Sequence, residues 1–137
     1  MNMTRRDDWR VRLTSVARDW RVKPYIYGQT DCACFVQAAV EAVTGVVLLE
    51  AVEKPSGMME SARFLISRGW RNVEGMAEAL LGASVEPDLS RAGDVVSFFE
   101  GGEPHLAVRV GDLALSPSAT GLNVIVRKQW RRAWQVG

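Results

Sequence analysis

Tyr27-Gly28-Gln29-Thr30-Asp31-Cys32-Ala33-Cys34-Phe35-Val36 is the stretch on which the reading of this chain turns. Asp31 is a residue type that caps helices, because its carboxylate accepts from first-turn N–H groups. Behind it Cys32, Phe35, Val36, Ala39, Val40 and Val43 follow at helical spacing, and Gly45 supplies a stop. The pattern predicts the most apolar helix of the chain, hence a central one. Cys32 falls in its first turn, where unpaired N–H groups and the helix dipole favour a thiolate and can also hold an oxyanion. Cys34 is turned about 200° away at 3.6 residues per turn, so the two thiols cannot share a role. Cys34 reads as a small buried hydrophobe.

Upstream, Pro24 ends a helix, and Tyr25, Tyr27 and Gly28 form an extended lead-in. The helix before it shows Trp9, Leu13, Val16 and Trp20 on one face, and Thr4 with Asp7 resembles a capping box. Downstream, residues 46–55 carry no period and read as a loop. Met58, Met59, Ala62, Leu65 and Ile66 suggest a third helix ending near Gly69. Val73, Met76, Ala77, Leu80 and Leu81 suggest a fourth ending at Gly82. After a connection over 83–93 the texture changes to strands at 94–99, 105–110, 113–116 and 122–126. The turns between them are at 100–104, 111–112 and 117–121. The tail Trp130-Arg131-Arg132-Ala133-Trp134 either closes the sheet, tryptophans inward, or offers aromatics and cations to a glycan or partner. Helices first and antiparallel strands second is an α+β pattern.

The single histidine, His105, opens the strand His105-Leu106-Ala107-Val108-Arg109-Val110. Alternation puts His105, Ala107 and Arg109 on one face and Leu106, Val108 and Val110 on the other. The apolar set faces the core, so His105 faces either solvent or the Cys32 helix. One poised cysteine and one distant histidine are the minimal kit for thiol-based acyl transfer.

With 137 residues, 47% of them hydrophobic and 24% charged, the chain reads as one globular domain over 1–137. It divides into an N-terminal helix (1–23), the cysteine-bearing lead-in and helix (24–45), a helical insert (46–92) and a sheet with its tail (93–137). A net charge of +1 makes no electrostatic case for nucleic acid. No apolar run is long enough for a membrane span, and the first residues lack a signal-peptide pattern, so synthesis in the cytoplasm is expected. Two cysteines and one histidine are too few for a closed zinc site without a carboxylate, so neither metal nor cofactor is expected.

Asp31-Cys32-Ala33-Cys34-Phe35-Val36 resembles the Asp-Cys-Ser-Gly-Phe-Val signature of NlpC-like peptidases, compact papain-like enzymes that cut peptidoglycan stem peptides. Pro24-Tyr25-Ile26-Tyr27-Gly28 resembles their lead-in. Gly93 to Phe99 and His105 to Gly111 resemble their Gly-Asp-Leu-Val-Phe-Phe and His-Val-Gly-Ile-Tyr-Val-Gly strands. The order and spacing agree across residues 24–126. The chain is most similar to small members encoded beside phage tail genes, whose Ala-Trp-containing C-terminus Arg132-Ala133-Trp134 matches.

The resemblance implies a papain-like fold with N-terminal helices on a small antiparallel sheet of about five strands. It implies Cys32 as nucleophile and His105 as general base. Ser116 stands where the family has a third polar residue, often histidine. Tyr27 would line the cleft, with Asp31 beside it at the substrate. The implied activity is hydrolysis of peptidoglycan stem peptides in the host periplasm or cell wall, by a virion component docked on phage tail hub, tip or baseplate proteins. The departures are Ala33-Cys34 in place of Ser-Gly and an uncharged Ser116. They keep open the alternative of a structural tail-tip component, in a phage or a gene transfer agent, that retains the fold without strong catalysis.

Overall fold

The computed structural model describes residues 3–26, 29–49 and 58–137. Four helices come first: α1 (Trp9–Trp20), α2 (Cys32–Thr44), α3 (Met58–Ser67) and α4 (Val73–Leu81). Five strands follow: β1 (Val95–Glu100), β2 (Glu103–Arg109), β3 (Ala114–Ser118), β4 (Gly121–Ile125) and β5 (Arg132–Trp134). They form one antiparallel sheet in the order β4-β3-β2-β1-β5. The chain is therefore α+β, with its helices, mostly N-terminal, packed on a five-stranded sheet.

The alternation in the strands sorts two cores. Val95, Leu106, Val108 and Trp134 point to the helices and pack with Phe35, Ala39, Val40 and Val43 of α2. Val96, Phe98, Ala107, Ala114, Ile125 and Ala133 point the other way, where Trp130 covers them. Trp130 and Trp134 are both buried, and Arg131 and Arg132 are turned outward, so the tail closes the sheet.

α2 is the central helix. Asp31 caps it, Oδ1 accepting from the Cys34 N–H at 2.9 Å, and Gly45 ends it in the left-handed conformation at φ 81°. In α1, Trp9, Leu13 and Trp20 are buried as spaced, but no capping box forms at Thr4 and Asp7. The chain there is committed elsewhere. The Arg6 N–H donates to Val43 O at 2.8 Å, and the Asp8 carboxylate takes Arg12 at 2.9 Å.

α3 exposes part of the stripe expected to be buried. Met59 and Ile66 are 67% and 68% exposed and Ala62 lies outside, while Ser61, Phe64 and Leu65 turn inward. The Phe64 ring is held edge-on to Trp70, with centroids 6.2 Å apart, and this rotates the helix by about one position from the expected face. The β3–β4 turn is also tighter than expected. Pro117 and Ser118 belong to β3, and only residues 119 and 120 lie between the paired Ser118 and Gly121.

A buried clamp joins the N-terminal arm to the sheet. Asp94 Oδ1 accepts from Arg5 Nη2 at 2.7 Å and from the Val136 N–H at 2.9 Å, and its Oδ2 accepts from the Arg91 N–H. Arg5 also donates to the carbonyls of Val136 and Ala92, at 2.8 and 2.6 Å. Gly93 is required beside it. Its φ is +92°, and a Cβ there would lie 2.8 Å from the Arg5 guanidinium.

Candidate active site

The end of α2 and the end of β2 meet at one side of the sheet. β2 pairs with β1 over six residues but with β3 at only two, Val108↔Leu115 and Arg109↔Ala114. Beyond these pairs the ladder gives way to a side-chain bridge, Ser116 Oγ donating to Leu106 O at 2.8 Å. Cys32 approaches this region from the helix side. The structure brings Cys32 and His105 together as walls of two adjoining cavities.

The first cavity, about 150 Å³, lies between α2, α3 and α4. Its walls are mostly apolar, with Leu49, Phe64, Leu65, Val73 and Met76 among them. The second, about 330 Å³, adds Phe98, Glu100, Ser116, Ser118 and Asn123 to Cys32 and His105. Tyr25 lines both.

Cys32 is buried at 6% exposure. Burial pushes its thiol up from the ordinary 9.0 to about 11, and the neighbouring Asp31 carboxylate pushes the same way. The backbone N–H groups of Leu106, Ala33 and Cys32 itself pull it down. The first-turn N–H groups thus act in the direction expected from the sequence, and desolvation outweighs them. The resting group is therefore a neutral thiol at pH 7.

His105 is half-buried near the start of β2, where it borders both cavities with Cys32. Its ring stacks on Phe98, its partner across β1, with centroids 5.5 Å apart. Its Nε2 lies 3.3 Å from Glu100 O. A proton on Nε2 donates to that carbonyl and leaves Nδ1 as the basic nitrogen. A backbone carbonyl therefore holds the ring, a partner that no motif signals. Ser116 lines the second cavity with His105, but its hydroxyl hydrogen is given to Leu106 O.

Asp31 is buried, caps α2 and lines the first cavity. Tyr27 lies outside the described residues. Tyr25, two positions upstream, is the tyrosine seen at the cleft. Cys34 is buried as a small hydrophobe at 4% exposure and reaches the first cavity. Ser61, Phe64 and Met76 were not legible as site residues, since only the docking of α3 and α4 brings them there. Among the described residues no cluster of histidine, cysteine and carboxylates could hold a metal ion, and no helix is long and apolar enough to cross a membrane.

No curated protein matches the chain. A family model does, over residues 4–136, and the stretch includes every residue of both cavities and of the Arg5–Asp94 clamp: the chain belongs to DUF6950, a domain of unknown function.

Proposed function

We propose that this chain is an NlpC-like cysteine peptidase of papain-like fold, carried on a phage tail and cutting peptidoglycan stem peptides. One observation carries the reading: Cys32, in the first turn of the central helix, and His105, on the strand that helix packs against, line the same two cavities. Four sequence blocks in matching order support the family, and a cysteine-bearing helix on an antiparallel sheet supports the fold.

The chemistry follows from the site. Because the thiol rests neutral, His105 takes its proton as Sγ attacks the carbonyl carbon. The S–C bond forms and the carbonyl oxygen becomes an oxyanion. The N–H groups of Cys32 and Ala33 already lie against the sulfur, which places donors beside the reacting atom. The Cys34 and Phe35 N–H groups are taken by Asp31, at 2.9 and 3.0 Å. The imidazolium then protonates the leaving amine. Water, deprotonated by His105, attacks the thioester and releases the acid and the thiol.

The buried thiol and the Ser116–Leu106 bridge favour a second reading, a structural tail-tip or hub component that keeps the fold. A digest of Gram-negative sacculi separates the two. The wild type is expected to release stem-peptide fragments detectable by mass spectrometry. Cys32→Ala and His105→Ala are expected to lower release by about 10³-fold or more while folding normally. A folded wild type that releases nothing overturns the hydrolase and leaves the structural role.

A further inference from the structure

β3 lies in the interior of the sheet, between β2 and β4, and yet carries Pro117. A proline has no N–H for a ladder, so in an interior strand it breaks pairing on the side its nitrogen faces. The register identifies that side. The Val110 N–H donates to Leu113 O at 2.9 Å, Val108 pairs with Leu115, and the next hydrogen-bonded pair in the alternation would be Leu106 with Pro117. The β2–β3 ladder stops before it. Leu106 therefore has a carbonyl and an N–H that lie outside the ladder, and each meets a side chain instead. Ser116 Oγ donates to the carbonyl at 2.8 Å, supplying the hydrogen that the Pro117 nitrogen lacks. The N–H donates to Cys32. The parted strands also border the second cavity, where His105, Ser116, Pro117 and Ser118 are walls.

We propose that Pro117 and Ser116 are positioning residues for the cysteine: the proline parts β3 from β2 at Leu106, the serine holds the Leu106 carbonyl, and the Leu106 N–H is left to the Cys32 sulfur. Ser116 then serves Cys32 through the backbone rather than His105 through its hydroxyl. The histidine ring is met elsewhere, by Glu100 O at 3.3 Å and by the Phe98 ring. A hydrogen bond to an ionised acceptor is stronger than one to its neutral form, so the Leu106 N–H favours the thiolate over the thiol. Moving that N–H away makes Cys32 harder to ionise. As a contribution to catalysis the arrangement rests on the Cys32–His105 reading, but its hold on the ionisation of Cys32 does not.

The test uses the full chain, which has two cysteines and one histidine, so selective labels give few signals. The Cβ carbon signal of Cys32, told from that of Cys34 by a Cys34→Ala variant, follows ionisation of the thiol as the pH is raised. Pro117→Ala returns the missing N–H and is expected to extend the ladder by one pair. The new amide at position 117 should then resist hydrogen exchange as the Leu115 amide does. The Leu106 N–H turns to the carbonyl of position 117, and the Cys32 midpoint rises by about one pH unit. Ser116→Ala is expected to raise the midpoint in the same direction while the ring nitrogen signals of His105 stay as in the wild type. A Cys32 midpoint that stays or falls in Pro117→Ala overturns the inference. So does an amide at position 117 that exchanges freely. A Ser116→Ala variant that changes the His105 ring nitrogens and leaves Cys32 alone also overturns it, by making Ser116 the histidine's partner. The readout needs no turnover: a protein inert on sacculi whose Cys32 midpoint moves as described keeps the positioning pair and loses the peptidase. Hydrolysis with an unmoved midpoint does the reverse.

Discussion

Cys32 is pulled in two directions, and the balance can be measured. Its folded pKa of about 11 lies above the ordinary 9.0, so between those values the folded chain keeps a proton that the unfolded chain has released. Stability from the neutral buried thiol is therefore fully present below pH 9 and falls as the pH rises toward 11. The loss is about 2–3 kcal/mol over that window. The difference in urea-unfolding free energy between wild type and Cys32→Ala, followed from pH 8 to 11, should trace this fall. A difference that stays flat would mean the thiol ionises as it does in water. The sequence placed Cys32 in the first turn of a capped helix, and there it lies. What it could not show was the cover over that helix end, because burial is set by β2, some seventy positions downstream.

Among the elements, α4 is tied to the sheet by two carboxylates one turn apart. Glu74 Oε2 accepts from Ser97 Oγ at 2.7 Å and from Arg131 Nε at 3.2 Å. Glu78 Oε1 accepts from the Ser84 N–H and from Trp134 Nε1, at 2.9 and 3.2 Å. Ser97 is fully buried and Glu74 is 7% exposed, so the first of these links has little water to fall back on. Glu74→Ala would strand the Ser97 hydroxyl and is expected to cost about 1–3 kcal/mol in urea denaturation. An unchanged midpoint would show that the serine finds another partner. α2 and the strands were readable because a single period governs each: Phe35, Ala39 and Val43 on one stripe, Leu106 and Val108 on one face. α3 was not. Met59, Ala62 and Ile66 form as good an apolar stripe as the face that is buried, and the packing of Phe64 and Leu65 against the core, with Trp70 beside Phe64, distinguishes the two. Likewise α4 hides Glu74 on a face predicted from Met76 and Ala77, since a carboxylate counts against burial until its partners are known.

Across the whole molecule, the Arg5–Asp94 clamp is the longest reach in sequence. Both side chains are almost wholly enclosed, at 6% and 2% exposure. Burial pushes the Arg5 guanidinium down and the Asp94 charge beside it pushes back. Removing one partner leaves the other charged, buried and unmatched. Asp94→Ala is accordingly expected to lose about 3–5 kcal/mol, visible as a large drop in melting temperature. A shift of a degree or less would mean that water reaches Arg5. The Gly93-Asp94 pair, matched in sequence to a strand motif, has this as its physical content: the glycine makes room for a guanidinium and the aspartate neutralises it. Arg5 itself carried no signal, because nothing in residues 1–10 marks an arginine destined for the interior. The clamp also sets an order of events. Its members lie at residues 5, 91–94 and 136, so a chain emerging from the ribosome can build α1 and α2 early but cannot complete the clamp until residue 136 is free. Until then Asp94 waits with one of its three donors, the Val136 N–H, absent, and translation that stops at Gln135 would also leave Arg5 without the Val136 carbonyl.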